Sequence, residues 1–229
     1  MTESAKLSLV FLLWLSGLTG TLAQQPPASQ QKDSAPPQFT EWIAEFPGTQ
    51  LDTLQWERFT FEGNPGGSVK VESGELRMRG LNRSRSGIRS RATFSGDRFI
   101  VDATLSRIGR RLPATDSSDD TGFAIVAILF GGSDLNRIEW ILRSDGRLEA
   151  WLMRLGESSE ELDNHSLATK LDRATLGIVR RGDEFLFLLN GQVGMQKTIR
   201  GMPRDFKIML YGFGSSENNW KSVRVVTPK

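Results

Sequence analysis

The sequence predicts an all-β domain, a sandwich of two antiparallel sheets. Three observations carry that reading. Apolar and polar residues alternate with period two in short runs over most of the chain, and no stretch of about twelve residues keeps a helical period. Tight-turn signals punctuate the runs, among them Asn64-Pro65-Gly66-Gly67, Ser73-Gly74, Ser95-Gly96-Asp97, Gly182-Asp183 and Asn190-Gly191. About a dozen short strands joined in this way close as two stacked sheets.

The first 23 residues read as a secretory signal: Lys6 supplies the positive end, Leu7 to Leu18 the apolar run, and Thr21-Leu22-Ala23 a small-residue cleavage site. As a helix that run would be about 18 Å long, short of the roughly 30 Å hydrocarbon core, so a membrane anchor is not expected and the mature protein should be secreted or periplasmic. Residues 24–38, QQPPASQQKDSAPPQ, are polar and proline-rich and read as a linker. Residues 39–229 then form one domain. Its opening segment FTEWIAEF, Phe39 to Phe46, is compatible with a helical turn or with a strand docked on the domain.

Strands follow at Trp56 to Phe61, Val69 to Glu72, Glu75 to Gly80, Gly87 to Phe94 and Arg98 to Arg107. In the last of these, Phe99, Val101, Ala103 and Leu105 should point inward. FAIVAILF, Phe123 to Phe130, is apolar on both faces and is therefore expected at the centre of a sheet, covered on both sides. The polar stretch Glu157 to Ser166 reads as a loop. Further strands are expected at Leu176 to Arg180, Glu184 to Leu189, Val193 to Ile199, Phe206 to Tyr211 and Lys221 to Val226, with Asn190-Gly191 the strongest hairpin signal.

The hairpin NRIEWILRSDGRLEAWLMR is the most informative segment. A three-residue loop, Ser144-Asp145-Gly146, sets Arg143 opposite Arg147 and sorts Ile138, Trp140, Leu142, Leu148, Ala150 and Leu152 onto one apolar face. The other face carries Arg137, Glu139, Ile141, Arg143, Arg147, Glu149, Trp151 and Met153. A two-residue loop would flip one strand and mix Glu149 with Trp140 and Leu142, which argues against it.

Composition narrows the chemistry. Without cysteine there are no disulfides, thiolate metal sites or cysteine nucleophiles, and one histidine excludes a multi-histidine metal centre. That residue, His165, lies in the polar stretch and is expected to be solvated and not a general base. No cofactor or metal is expected, since Asp116, Asp119 and Asp120 match no calcium loop and read as a solvated turn. The net charge of +2 is small, but Leu76 to Arg91 holds six arginines and no acid. These are read chiefly as cross-strand pairing partners, with an anionic glycan or acidic surface as the alternative and nucleic acid disfavoured by export.

Several short motifs resemble the concanavalin A-like lectin/glucanase superfamily, the jelly-roll sandwich of laminin G-like domains and family 16 glucanases. They are Leu51-Asp52-Thr53-Leu54-Gln55-Trp56, Val71-Glu72-Ser73-Gly74-Glu75-Leu76, Phe94-Ser95-Gly96-Asp97-Arg98-Phe99, Arg181-Gly182-Asp183-Glu184-Phe185 with Leu189-Asn190-Gly191, and Trp220-Lys221-Ser222-Val223-Arg224-Val225. The resemblance implies a concanavalin A-like fold and a carbohydrate or polysaccharide partner. The glucanase branch carries a strand motif E-x-D-x-E, since a retaining mechanism needs two close carboxylates. The nearest match here, Glu161-Leu162-Asp163-Asn164-His165-Ser166, has no third acid. Nor is the acidic motif of the 3-keto-disaccharide hydrolases recognisable. The expected function is therefore a non-catalytic carbohydrate-binding module, with a glycoside hydrolase or an envelope scaffold module as alternatives. The expected site is the polar hairpin face: Trp151 stacks on a sugar ring, Arg137, Glu139, Arg143 and Arg147 bond its polar groups, and Asp102 joins them if its strand shares the sheet.

Overall fold

A computed structural model describes residues 38–61, 67–79, 85–110, 121–213 and 216–229. The expected signal segment, most of the linker, the aspartates 116, 119 and 120, the turn at 64–66 and Arg83 lie outside the described residues. Gln38 to Lys229 forms one compact unit. It contains no helix among the described residues and is built from two eight-stranded antiparallel sheets.

The first sheet runs β14 (Gln192–Thr198), β13 (Glu184–Leu189), β12 (Ala174–Arg181), β7 (Arg98–Arg110), β16 (Ser216–Pro228), β4 (Glu75–Arg79), β3 (Ser68–Glu72). The segment left open between turn and strand is a strand, β1 (Phe39–Glu45). It pairs with the end of β16, Phe39 opposite Pro228 and Glu45 opposite Ser222, on the edge that β4 occupies near the start of β16. The second sheet runs β11 (Glu160–Ser166), β10 (Arg147–Met153), β9 (Arg137–Arg143), β8 (Phe123–Phe130), β15 (Asp205–Gly212), β5 (Arg85–Ser90), β2 (Trp56–Phe61), and the short β6 (Phe94–Ser95) adds to β15.

Two sequence expectations are corrected. The stretch Glu157 to Ser166 is not all loop, because residues 160–166 are the edge strand β11, paired with β10 across a bulge at Ala150/Trp151. Its charged, exposed side chains concealed it; an edge strand has only one neighbour and gains by staying polar, which discourages pairing with another chain. The strand expected from Gly87 to Phe94 breaks after Ser90. There the Ser90 hydroxyl donates to the Ala92 carbonyl at 2.9 Å and accepts the Ile208 N–H at 3.1 Å, replacing the ladder with a side-chain bond.

The core lies between the sheets. Phe99, Val101, Ala103 and Leu105 of β7 point inward as expected, and β8 is buried along its full length in the middle of its sheet. Trp56, Trp140, Trp220, Phe130, Phe185, Phe187 and Phe206 are almost fully buried. Each such ring removes about 150 to 250 Å² from water, the main stabilising term for a domain without disulfides. Two polar ties cross the core. The Trp140 indole donates to the Leu188 carbonyl at 2.9 Å, and Asn218 on β16 donates to the Phe123 carbonyl on β8 at 3.0 Å. Asn218 also accepts from the Trp220 indole at 2.7 Å.

Candidate functional site

The β9–β10 hairpin adopts the expected register: Leu142 pairs with Leu148, Trp140 with Ala150 and Glu139 with Trp151. Gly146 takes a φ of +92°, which a three-residue loop needs and which other residues rarely adopt. Trp140 is therefore in the core and Trp151 on the opposite face, half-buried.

Pairing across the second sheet extends that face beyond the hairpin. One row reads Glu57, Arg89, Met209, Ala127, Glu139, Trp151 and Glu161; the next reads Phe59, Gly87, Tyr211, Ile125, Ile141, Glu149 and Asn164. A third follows the cross-strand pair Phe123 and Arg143, with Phe213 and Arg85 beside it. The floor is apolar: Phe123, Ile125, Ala127, Leu129, Ile141, Met209 and Tyr211 form a buried cluster of their own, with Phe59, Trp151 and Phe213 half-buried at its margin. Gly87 lets Tyr211 seat closely, since a Cβ there would overlap the Leu210 carbonyl and come within 2.5 Å of Tyr211 Cβ.

The charged groups at the centre of this floor are paired. Glu139 Oε1 accepts from Arg137 Nε at 2.6 Å and from the Tyr211 hydroxyl, and both Arg137 and Glu139 are buried. Burial works against the Arg137 charge, but Tyr211 and Glu139 outweigh it and raise its pKa. Burial, and then the Glu139 carboxylate, push the Tyr211 hydroxyl well above its ordinary range. Glu149 uses both oxygens, one for Arg143 Nη1 at 2.8 Å and the other for the Trp151 indole N–H at 3.2 Å. Arg143 also reaches Asp145 at 3.0 Å and lies over the Phe123 ring at 4.9 Å. Arg89 bridges Glu57, at 2.6 Å, and Asp134.

Of the expected site residues, Trp151, Arg137, Glu139, Arg143 and Arg147 share this face. Asp102 does not. It sits on β7 in the other sheet, where Arg224 Nη1 donates to it at 3.2 Å and where burial lifts its carboxyl above the usual range despite that partner. Alternation within one strand cannot say which sheet the strand joins. Arg137 and Glu139 lie deeper than expected, so the exposed part of the face is set by Trp151, Arg143 and Arg147. The six arginines of Leu76 to Arg91 do not form one patch: Arg77 and Arg79 sit on the first sheet, paired with Glu72 and Glu217, whereas Arg85 and Arg89 are on the second. His165 is on β11, its Nδ1 2.9 Å from the Asp163 carboxylate. Sequence reasoning missed Tyr211, Phe213, Phe59 and Arg85; the alternation Lys207, Met209, Tyr211 was legible, but not the sheet it belongs to. Among the described residues no group of three or more His, Cys, Asp or Glu side chains is placed to hold a metal ion.

No protein-family model and no curated protein matches the sequence. Solved structures do match the fold. An endo-β-1,3-glucanase from Pyrococcus furiosus superposes with a TM-score of 0.64 at 13% identity, covering 82% of this chain and 94% of its own. The catalytic domain of an endo-1,3-β-glucanase (laminarinase) from Thermotoga petrophila gives 0.61 at 12% identity, covering 84% and 99%. The carbohydrate recognition domain of Emp46p gives 0.55 at 17% identity, covering 75% and 88%. At these identities the likeness establishes architecture, and architecture hosts many functions. The chain has the concanavalin A-like jelly-roll fold of the lectin/glucanase sandwiches.

Proposed function

We propose that this chain is a carbohydrate-binding module, exported by its N-terminal segment, that holds a saccharide on the outer face of the β11–β2 sheet without cleaving it. One observation carries this reading: a half-exposed Trp151, joined to Arg143 through Glu149, shares its face with Arg143 and Arg147 over an apolar floor whose two central carboxylates are already committed to arginines. An aromatic ring beside charged donors suits the apolar faces and polar edge of a sugar. Glu139 and Glu149 each hold an arginine and a further donor, an arrangement that fixes them as part of a binding surface. The similar solved structures include both glucanases and a carbohydrate recognition domain, which supports a saccharide ligand at the level of the fold.

A second reading, a glycoside hydrolase, draws on Glu139 and Glu149 sharing a face on adjacent strands, paired with Trp151 and Ile141. One experiment separates the two. The chain is screened on a glycan array and its best ligand titrated against wild type and Trp151→Ala, while a β-glucan and disaccharide panel is assayed for hydrolysis. Binding lost in Trp151→Ala with no hydrolysis is the expected result. Hydrolysis that disappears in Glu139→Gln would replace the module with an enzyme.

A further inference from the structure

Across the outer face of the second sheet runs a stripe in which arginine and phenylalanine interleave. The Arg85 guanidinium lies over the Phe213 ring at 5.0 Å, Phe213 meets Phe123 edge to face at 5.6 Å, and Arg143 lies over Phe123 at 4.9 Å. Arg147 stands across the hairpin turn from Arg143, on the same face and exposed. The arginines differ in what they hold. Arg143 is neutralised by Glu149 and Asp145, but Arg85 and Arg147 have no ion pair among the described residues. Every other arginine or lysine described above on this face has an acidic partner: Arg137, Arg143 and Arg89, with Lys207 3.9 Å from Glu57. Arg85 and Arg147 are at opposite ends of the stripe, on β5 and β10, four strand spacings apart, or about 19 Å.

Resting on the carbohydrate-binding reading above, we propose that the ligand of this face is an acidic oligosaccharide. Arg85 and Arg147 take carboxylate or sulfate groups at its two ends, and the sugars between them cross the Arg85–Phe213 and Arg143–Phe123 stacks. Guanidinium is the side chain best matched to bidentate oxyanions, and stacking on Phe213 holds the Arg85 fork in place. A neutral glycan would offer both cations hydroxyl acceptors but no countercharge where it covered them, which disfavours it. A span of about 19 Å calls for an oligomer, because a single uronic acid reaches only one end.

The full chain is titrated calorimetrically with polygalacturonate, dextran sulfate, monomeric galacturonate and neutral laminarin. One of the two polyanions should bind more tightly than laminarin and than the monomer, and which one tells carboxylate from sulfate recognition. Arg85→Gln/Arg147→Gln should weaken that binding by about tenfold or more, the loss expected for charge-assisted contacts. Lys197→Gln/Arg200→Gln, which removes the same charge from the edge strand of the other sheet and the turn after it, should change it by less than about twofold. If the double variant does not fold, Arg147→Gln alone, at an exposed position, must still show a loss. Laminarin binding that needs Trp151, with no polyanion binding, would overturn the acidic ligand and leave the carbohydrate module standing. Polyanion binding that falls equally in both double variants would reduce the stripe to diffuse charge and overturn the proposal. Binding of no saccharide by a folded chain would end both.

Discussion

Trp140 and Trp151 lie on neighbouring strands of one hairpin and should respond to truncation in opposite ways. Trp140 is fully buried, packs on Phe187 at 5.4 Å, and spans the sandwich through its bond to the Leu188 carbonyl. Trp140→Ala removes the ring, opens a cavity between two rigid sheets and strips an acceptor of its donor, for a loss of about 3 to 5 kcal/mol. With a urea slope of about 2 to 3 kcal/mol per molar, the denaturation midpoint should fall by about 1 to 2.5 M. Trp140→Phe keeps most of the volume and isolates the hydrogen bond, at about 1 to 3 kcal/mol. Trp151 packs only at the margin of the outer cluster and donates to an already paired Glu149, so Trp151→Ala should cost no more than about 2 kcal/mol. The two midpoints, with fluorescence quenching by a soluble quencher to rank exposure, decide the matter. A larger stability loss at Trp151 than at Trp140 would mean that the faces of the hairpin are exchanged, and the proposed binding surface would fall with them.

Arg180 is buried with its guanidinium over Phe130 and Phe185, and its donors go to the Gly182, Pro203 and Met202 carbonyls at 2.8, 2.5 and 2.7 Å. Arg180→Met should therefore cost about 2 to 4 kcal/mol in chemical denaturation by orphaning those carbonyls, and a neutral result would refute the tether. Gly87→Ala places a methyl group against the Leu210 carbonyl and should abolish soluble expression or lower Tm sharply, whereas Gly109→Ala, whose nearest neighbour would be 3.9 Å away, should change Tm by only a few degrees. Tyr211 is the only tyrosine, so tyrosinate absorbance reports it alone. Its folded pKa lies above the ordinary 10.0, so its contribution to stability is complete below about pH 10 and is lost as pH rises through the raised folded value. Native protein should show no tyrosinate until well above that pH, Tyr211→Phe should blunt the alkaline loss of stability, and ordinary titration in the native state would contradict its burial against Glu139.

The local chemistry of single strands was legible in the sequence. Period-two alternation in β7 named its buried face, the two-sided apolar run of β8 placed it at a sheet centre, and the Gly146 loop set the hairpin register that separates Trp140 from Trp151. Each depends on contacts between residues near in sequence or on the pleat alone, so a string of residues contains the information. Sheet membership depends on pairing between distant segments, and only the tertiary structure decided it. Asp102 alternates as an outward residue just as Glu139 does, yet Arg224 claims it on the other sheet; β11 looked like a loop because one neighbouring strand, invisible in its own residues, makes it a strand. Tyr211 closes on Glu139 across 72 positions of chain, and Arg85, Phe213, Phe123 and Arg143 align from four separate segments. The cost of closing such loops is met by the apolar core between the sheets, and that core sets which charged side chains meet on the face outside it.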